Sequence, residues 1–68
     1  MIHITVNGQM QQQPVGALES LLEHLQLLRT RRGLAVAVNG RVVPRTAWPE
    51  TQLADGDRVE IVRAVSGG

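Results

Sequence analysis

The sequence contains no cysteine. Disulfide bonds, thiolate zinc sites and thiol catalysis are therefore excluded. It contains no lysine either, because all seven basic residues are arginine, so no side-chain amine can accept an isopeptide bond. Phenylalanine and tyrosine are absent, and Trp48 is the only aromatic residue. The core must therefore be built mainly from leucine, valine and isoleucine.

Long apolar runs are also missing. No stretch approaches the roughly 20 apolar residues of a membrane span, and the first residues lack the charged lead of a signal peptide. The net charge is only +1. The one basic cluster has no aromatic neighbour to stack on a base, so we interpret it as cations beyond a helix C-terminus: Arg29, Arg31 and Arg32. The sequence predicts a soluble, cytoplasmic protein with neither a nucleic-acid nor a membrane partner.

The first half of the chain predicts a hairpin followed by a helix. Ile2, Ile4 and Val6 alternate with other residues, as in a half-buried strand, and Asn7-Gly8 is typical of a tight turn. The next segment, 9–13, is polar apart from Met10, so we expect an exposed strand with Met10 as its single inward residue, ended by Pro14. Leucines at helical spacing then predict a weakly capped helix from about Ala17 to Leu28, with an apolar stripe of Leu18, Leu21, Leu22, Leu25 and Leu28.

The second half predicts three more strands. Leu34, Val36 and Val38 alternate with alanines, Asn39-Gly40 marks a turn into 41–43, and Pro44 closes that short strand. Residues 45–53 are expected to be irregular, with one helical turn near 48–50. Asp55-Gly56-Asp57 is expected to turn the chain into a last strand that contains Val59 and Ile61 and continues to Val65.

The order β-β-α-β-β-β, with one long helix, predicts an α+β fold. One helix must cover the apolar face of one mixed sheet of about five strands, which is the ubiquitin-like β-grasp. Sixty-eight residues suffice for one such domain, spanning 1–68 with a flexible tail at 64–68. A chain this short buries only roughly 60% of the surface that its unfolded form exposes, so the core is thin.

No ordinary active site is evident. His3 and His24 have no second metal ligand in register and are interpreted as surface residues. Asp55 and Asp57 flank a glycine and favour a turn. Trp48 is either a partner anchor or a lid over one end of the core, and we favour the lid. The sequence therefore predicts neither a metal site nor an enzyme.

The final residues suggest chemistry of another kind. An α-carboxylate has a pKa of about 3.3–3.7, so it is ionised at neutral pH and needs activation, for instance as an acyl-adenylate. Glycine permits close backbone approach, so Gly67-Gly68 suits a narrow channel in an activating enzyme. We therefore expect Gly68 to be the modified residue and partners to recognise the residues that precede it: Ala64, Val65, Ser66 and Gly67.

Several motifs together resemble the ThiS family of thiamine-biosynthesis sulfur carriers, over essentially all 68 residues. They are Val38-Asn39-Gly40-Arg41-Val42-Val43-Pro44-Arg45, Trp48, Asp55-Gly56-Asp57 and Gly67-Gly68. One departure is the helix start, where the family often has threonine and this chain has Gly16-Ala17-Leu18.

The resemblance implies a function. A ThiF-like adenylating enzyme would use ATP to form an adenylate on Gly68, and no cofactor would be bound by the chain itself. Sulfur from a cysteine desulfurase or another persulfide donor would replace AMP to give a thiocarboxylate. A ThiG-like thiazole synthase would then accept that sulfur. The alternatives are a carrier for molybdopterin or another sulfur metabolite, and a non-covalent β-grasp interaction module.

Overall fold

The computed structural model describes residues 1–14, 16–25 and 33–63. Five strands, one helix and a 3₁₀ helix follow each other along the chain: β1 Ile2–Val6, β2 Gln9–Gln13, α1 Leu18–His24, β3 Leu34–Val38, β4 Arg41–Val43, the 3₁₀ helix Arg45–Glu50 and β5 Arg58–Arg63. The predicted order of strands and helix is confirmed. The segment expected to be irregular begins with the 3₁₀ helix, which is longer than the single turn predicted there.

The strands form one mixed sheet in the order β2-β1-β5-β3-β4. β5 lies at its centre, parallel to β1 and antiparallel to β3. Both predicted hairpin turns are present, with positive φ angles of 52° at Asn7 and 53° at Asn39. Such angles match the turns that join antiparallel strands tightly. The α+β, β-grasp prediction is confirmed.

The core lies between the sheet and α1. Leu18, Leu21 and Leu22 are completely buried, as the apolar stripe predicts. They pack against inward residues of the sheet and against Leu53: Ile2, Ile4, Val6, Leu34, Val36 and Val59. Leu25 packs at the margin of this cluster, whereas Leu28 lies outside the described residues. Within the described ranges, no helix is both long and apolar enough to traverse a bilayer.

Trp48 closes one end of this core. Its side chain is 1% exposed, and its indole Nε1–H donates a hydrogen bond of 2.9 Å to the carbonyl oxygen of Val43. A buried indole needs such a partner for its N–H group. The lid interpretation is confirmed, and the alternative of a partner anchor is rejected because the ring is not accessible.

The helix begins without a side-chain cap, as its sequence predicts. Ala17 occupies the capping position and makes no side-chain hydrogen bond. Backbone groups of a neighbouring segment contribute instead: the Leu18 N–H donates to the Thr51 carbonyl at 2.7 Å, and the Leu53 N–H donates to the Gly16 carbonyl at 3.1 Å. A tertiary contact therefore satisfies one of the N–H groups that the first turn of a helix leaves without an intrahelical partner.

The prediction for Met10 is wrong. Met10 pairs with Thr5, whereas Gln13 pairs with the buried Ile2, and directly opposed residues share one face of a sheet. Gln13 consequently faces the helix and is 5% exposed, while Met10 lies on the outer face and is 75% exposed. Hydrophobicity pointed to Met10 as the inward residue, but the register set by the tight turn decides the matter.

The buried helix face should dominate stability. Replacing Leu22, which is fully buried, with alanine is expected to reduce the free energy of unfolding by roughly 2–5 kcal/mol through lost burial and a residual cavity. Val42→Ala is the control, because Val42 is 77% exposed and its truncation should cost no more than about 0.5 kcal/mol. Urea unfolding followed by circular dichroism measures both. Equal losses for the two variants would contradict the assignment of the core.

Candidate functional site

The residues predicted to carry the chemistry, Ala64 to Gly68, lie outside the described part of the chain. The nearest described residue is Arg63, the last residue of β5. The structure therefore shows the platform from which those residues depart, and not the residues themselves. That platform is the central strand of the sheet together with its neighbours on both sides.

The beginning of β5 is held by a polar cluster. The Asn39 side chain accepts a hydrogen bond from the Arg58 N–H at 2.9 Å and donates one to Asp57 Oδ1 at 3.0 Å. The other oxygen of Asp57 accepts from the Ala54 N–H at 2.8 Å. Asn39 and Asp57 belong to the two motifs that carry the family resemblance, so these motif residues have a structural role. The predicted turn at 55–57 is confirmed.

Asp55 joins the same turn to β1. Its Oδ1 accepts a hydrogen bond from the His3 backbone N–H at 2.7 Å and lies 3.5 Å from His3 Nδ1. The backbone hydrogen bond is the main reason why the pKa of Asp55 lies below its usual value. This carboxylate therefore serves the fold as an acceptor that joins the turn to β1.

Both histidines are exposed, as predicted. His3 Nε2 lies 2.8 Å from Gln12 Nε2 across the strand pair. In the part of the chain that the structure describes, no three side chains of histidine, aspartate or glutamate converge as metal ligands would. The described residues therefore do not form a candidate metal centre.

Asn7 holds the far end of β5. Its Oδ1 accepts from the Ile61 N–H at 2.8 Å, and its Nδ2 donates to the Ile61 carbonyl at 3.1 Å. Backbone pairing between β1 and β5 comprises only the pairs of Thr5 with Arg58 and Val6 with Val59. Beyond these two pairs, the side-chain amide of Asn7 supplies the hydrogen bonds to β5. It binds the strand at Ile61, two residues before the strand ends.

The outer face of the sheet carries an apolar patch beside this strand. Val62 and Val42 are 62% and 77% exposed, and two alanines of β3 lie between them. We call this set the outer patch: Ala35, Ala37, Val42 and Val62. Among the described residues, only four large apolar side chains are exposed, and Val42 and Val62 are two of them.

Sequence reasoning missed Asn7 and the composition of the outer patch. The Asn-Gly pair indicated only a turn, since the bond partner of Asn7 lies 54 residues further along the chain. For the outer patch the sequence gives two weak indications. Alanines alternate with the inward residues of β3, and the alternation in β5 places Val62 on the opposite face from Ile61. Neither pattern shows that these residues become neighbours until the strand order is known.

Comparison with known proteins agrees with the geometry. The sequence model of the ThiS family matches residues 4–68. The chain is 34% identical over 68 residues to the sulfur carrier protein ThiS of Escherichia coli K12, with 98% of this chain and 100% of that protein covered.

Solved structures give the same result. The crystal structure of the thiamine biosynthesis protein ThiS from Geobacter metallireducens has a TM-score of 0.83 at 30% identity, covering 98% of this chain and 100% of that one. A solution NMR structure of a thiamine biosynthesis protein from the same organism gives 0.78 at 30% identity, covering 98% and 88% respectively. The similarity in sequence and the similarity in fold thus extend over nearly the same residues.

The two asparagines should act locally and at opposite ends of β5. Asn7→Gly preserves the positive φ angle but removes both bonds to Ile61, so exchange of the Ile61 amide hydrogen should accelerate while that of Arg58 changes little. Asn39→Gly is the matched control and should show the reverse pattern. Residue-resolved hydrogen exchange by NMR measures both. Uniform acceleration in both variants would mean that neither side chain holds its own end of the strand.

Proposed function

Because the chain belongs to the ThiS family of thiamine-biosynthesis sulfur carriers, we propose that it carries sulfur as a thiocarboxylate on Gly68. One observation supports this above the others: the family match runs through Gly67 and Gly68. These residues follow β5, the strand that the sheet holds on both sides. The proposed site is thus a backbone carboxylate borne on a well-anchored strand.

The chemistry begins with activation. The Gly68 carboxylate attacks the α-phosphate of ATP in a ThiF-like adenylating enzyme, and pyrophosphate leaves. The terminal sulfur of a persulfide, from a cysteine desulfurase or another donor, then attacks the acyl carbon and displaces AMP. A thiol cleaves the remaining sulfur–sulfur bond and frees the thiocarboxylate. A ThiG-like thiazole synthase accepts this sulfur while it builds the thiazole ring.

In this proposal the partner enzymes catalyse the reactions, and the chain carries the sulfur. ATP belongs to the adenylating enzyme, and the chain supplies the acyl group and its delivery. Glycine has no Cβ atom that could obstruct a narrow channel, so Gly67 and Gly68 allow deep insertion. The absence of cysteine keeps the carried sulfur on the carboxyl carbon, since the chain has no thiol of its own. A cytoplasmic location fits this composition.

Partners are proposed to dock on the outer patch and on residues that continue from it, namely Ala64, Val65, Ser66 and Gly67. Val62 lies on β5 itself, two residues before Ala64, so a protein that covers the patch also meets the start of this segment. The face is apolar at its centre, with Glu60 and Arg58 on the same face of β5. A hydrophobic centre beside charged residues is the usual composition of a protein–protein contact.

The first prediction of this proposal concerns the tail. With ATP, a cognate adenylating enzyme and a sulfur source, intact-mass spectrometry should show one oxygen exchanged for sulfur in the terminal peptide. Deleting Gly68 should abolish this exchange, because the shortened chain ends one residue, or up to ~3.6 Å, before the activating site. Gly67→Val should also abolish it, because a branched side chain restricts the backbone and obstructs a narrow channel.

The control for both variants is thermal melting. Each should change the free energy of unfolding by no more than about ±0.5 kcal/mol, as is typical of exposed positions. Full sulfur transfer by the chain lacking Gly68, or sulfur located elsewhere in the wild-type chain, would overturn the proposed function.

The second prediction concerns docking. Val62→Asp puts a charge into the outer patch. Because this charge would be buried in the complex without a partner, binding to the adenylating enzyme should weaken at least tenfold, about 1.4 kcal/mol or more. Met10→Asp is the matched control: it alters another exposed apolar residue of the same sheet face, but on β2, and should leave binding unchanged. Titration calorimetry measures both affinities. Equal weakening by the two variants would show that the patch is not the contact.

A further inference from the structure

β2 forms one edge of the sheet, and two of the features that often protect such an edge, charged residues and proline, are absent from the strand itself, although Pro14 follows it directly. Its five residues, Gln9–Gln13, include no charged residue and no proline. Exposed edge strands normally carry charges, prolines or bulges, because their unpaired backbone groups otherwise invite another strand to pair. The edge of β2 is thus open to strand addition.

The backbone of β1 determines which groups of β2 are free. The His3 carbonyl accepts a hydrogen bond from the Gly56 N–H at 2.7 Å, and the Thr5 N–H donates to the Asp57 carbonyl at 3.0 Å. His3 and Thr5 therefore direct their backbone groups away from β2. Because these directions alternate along a strand, the residues between them direct theirs toward β2.

The alternation continues into β2 itself. Ile2, Ile4 and Val6 lie opposite Gln13, Gln11 and Gln9, respectively, in the strand register. Those three glutamines therefore use their backbone N–H and C=O groups to bind β1. The backbone groups of Met10 and Gln12 must point to the free edge. Within the described ranges, these two donors and two acceptors on the outside of β2 have no backbone partner.

We propose that β2 pairs in antiparallel fashion with β2 of a second copy of this chain, about a two-fold axis that passes beside Gln11. In this register Met10 lies opposite Gln12 of the second copy, and Gln12 lies opposite Met10 of the second copy. The two donors and two acceptors of each strand then form four backbone hydrogen bonds. The contact is self-complementary, as a two-fold interface must be.

A buried side chain supports this register. Gln13 is 5% exposed, and among the described residues its Oε1 has no hydrogen-bond partner. It lines a cleft between the end of β2 and α1, beside Pro14, Ser20, Glu23 and His24. In the proposed pairing, Gln9 of the second copy lies opposite Gln13 on the same helix-side face. The Cβ atoms of residues that lie opposite each other are about 4.5–5.5 Å apart, so this register brings an amide donor of the second copy to the side of the acceptor that lacks a described partner.

The absence of charge favours an identical partner. Like charges that face each other across two strands are unfavourable, and β2 presents none to its own copy. The interface is small, so association should be weak and depend on concentration. Since β3 and β4 lie at the other side of the sheet, the pairing leaves the outer patch free. The proposal is thus independent of sulfur transfer.

The test is sedimentation velocity of the full chain over increasing concentration. The weight-average mass should rise from the 7.4 kDa of one chain toward twice that value. Gln11→Lys and Gln11→Glu each place like charges opposite each other at the axis, and each alone should weaken association by roughly fivefold. An equimolar mixture of the two variants should restore it, because opposite charges then meet. Thr46→Lys, exposed on the 3₁₀ helix, is the control and should leave association unchanged.

Circular dichroism establishes that each variant is folded. A wild-type chain that stays monomeric up to millimolar concentration would overturn the proposal. So would a mixture of the two charged variants that associates no better than either alone. Equal weakening by Thr46→Lys would likewise overturn it, because the effect would then reflect net charge and not the β2 edge.

Discussion

The placement of β5 between β1 and β3 is the constraint on which the rest of the structure depends. A strand that pairs parallel on one side and antiparallel on the other can neither slide nor twist away without breaking both ladders. It also places Val59 in the core, where it meets the leucines of α1. The chain beyond Arg63 therefore follows a central strand that is paired on both sides, which suits a carrier whose proposed chemistry requires accurate presentation of one carboxylate.

Two Asn-Gly turns complete the support of this strand. Each turn needs a residue that accepts a positive φ angle, and asparagine does so at modest cost. Each asparagine also turns its side-chain amide toward β5, Asn39 at the first residue of the strand and Asn7 near its end. Asparagine thus both accepts the positive φ angle of the turn and supplies side-chain hydrogen bonds to β5. The motifs by which the family is recognised include residues that build the strand, while the proposed chemistry lies in glycines that have no side chain at all.

The two faces of the sheet have different roles, one in stability and one in the proposed contacts. The inner face, closed by α1 and Trp48, supplies the stability of a chain that has no cysteine to form a disulfide. In the described part of the chain, α1 lies on the inner face only, and Val42 and Val62 on the outer face are exposed. On that outer side the patch near β5 and the edge at β2 lie at opposite ends of the sheet, so a second copy and a transfer partner can be accommodated together.

Local patterns predicted much of this protein. Alternating apolar residues located β1, β3 and β5, the leucine spacing located α1, and Asn-Gly and Asp-Gly pairs located the turns, because these features depend on residues close together in the chain. The terminal glycines and the family resemblance indicated the kind of chemistry in the same way. Only the tertiary structure decided the rest. It turned Gln13 inward and Met10 outward through register, joined Asn7 to Ile61 across 54 residues, and placed Val42 and Val62 on one face of the sheet, on either side of β3. Such outcomes depend on strand order and pairing register, which arise from the packing of the whole chain and leave no signal in a short stretch of sequence.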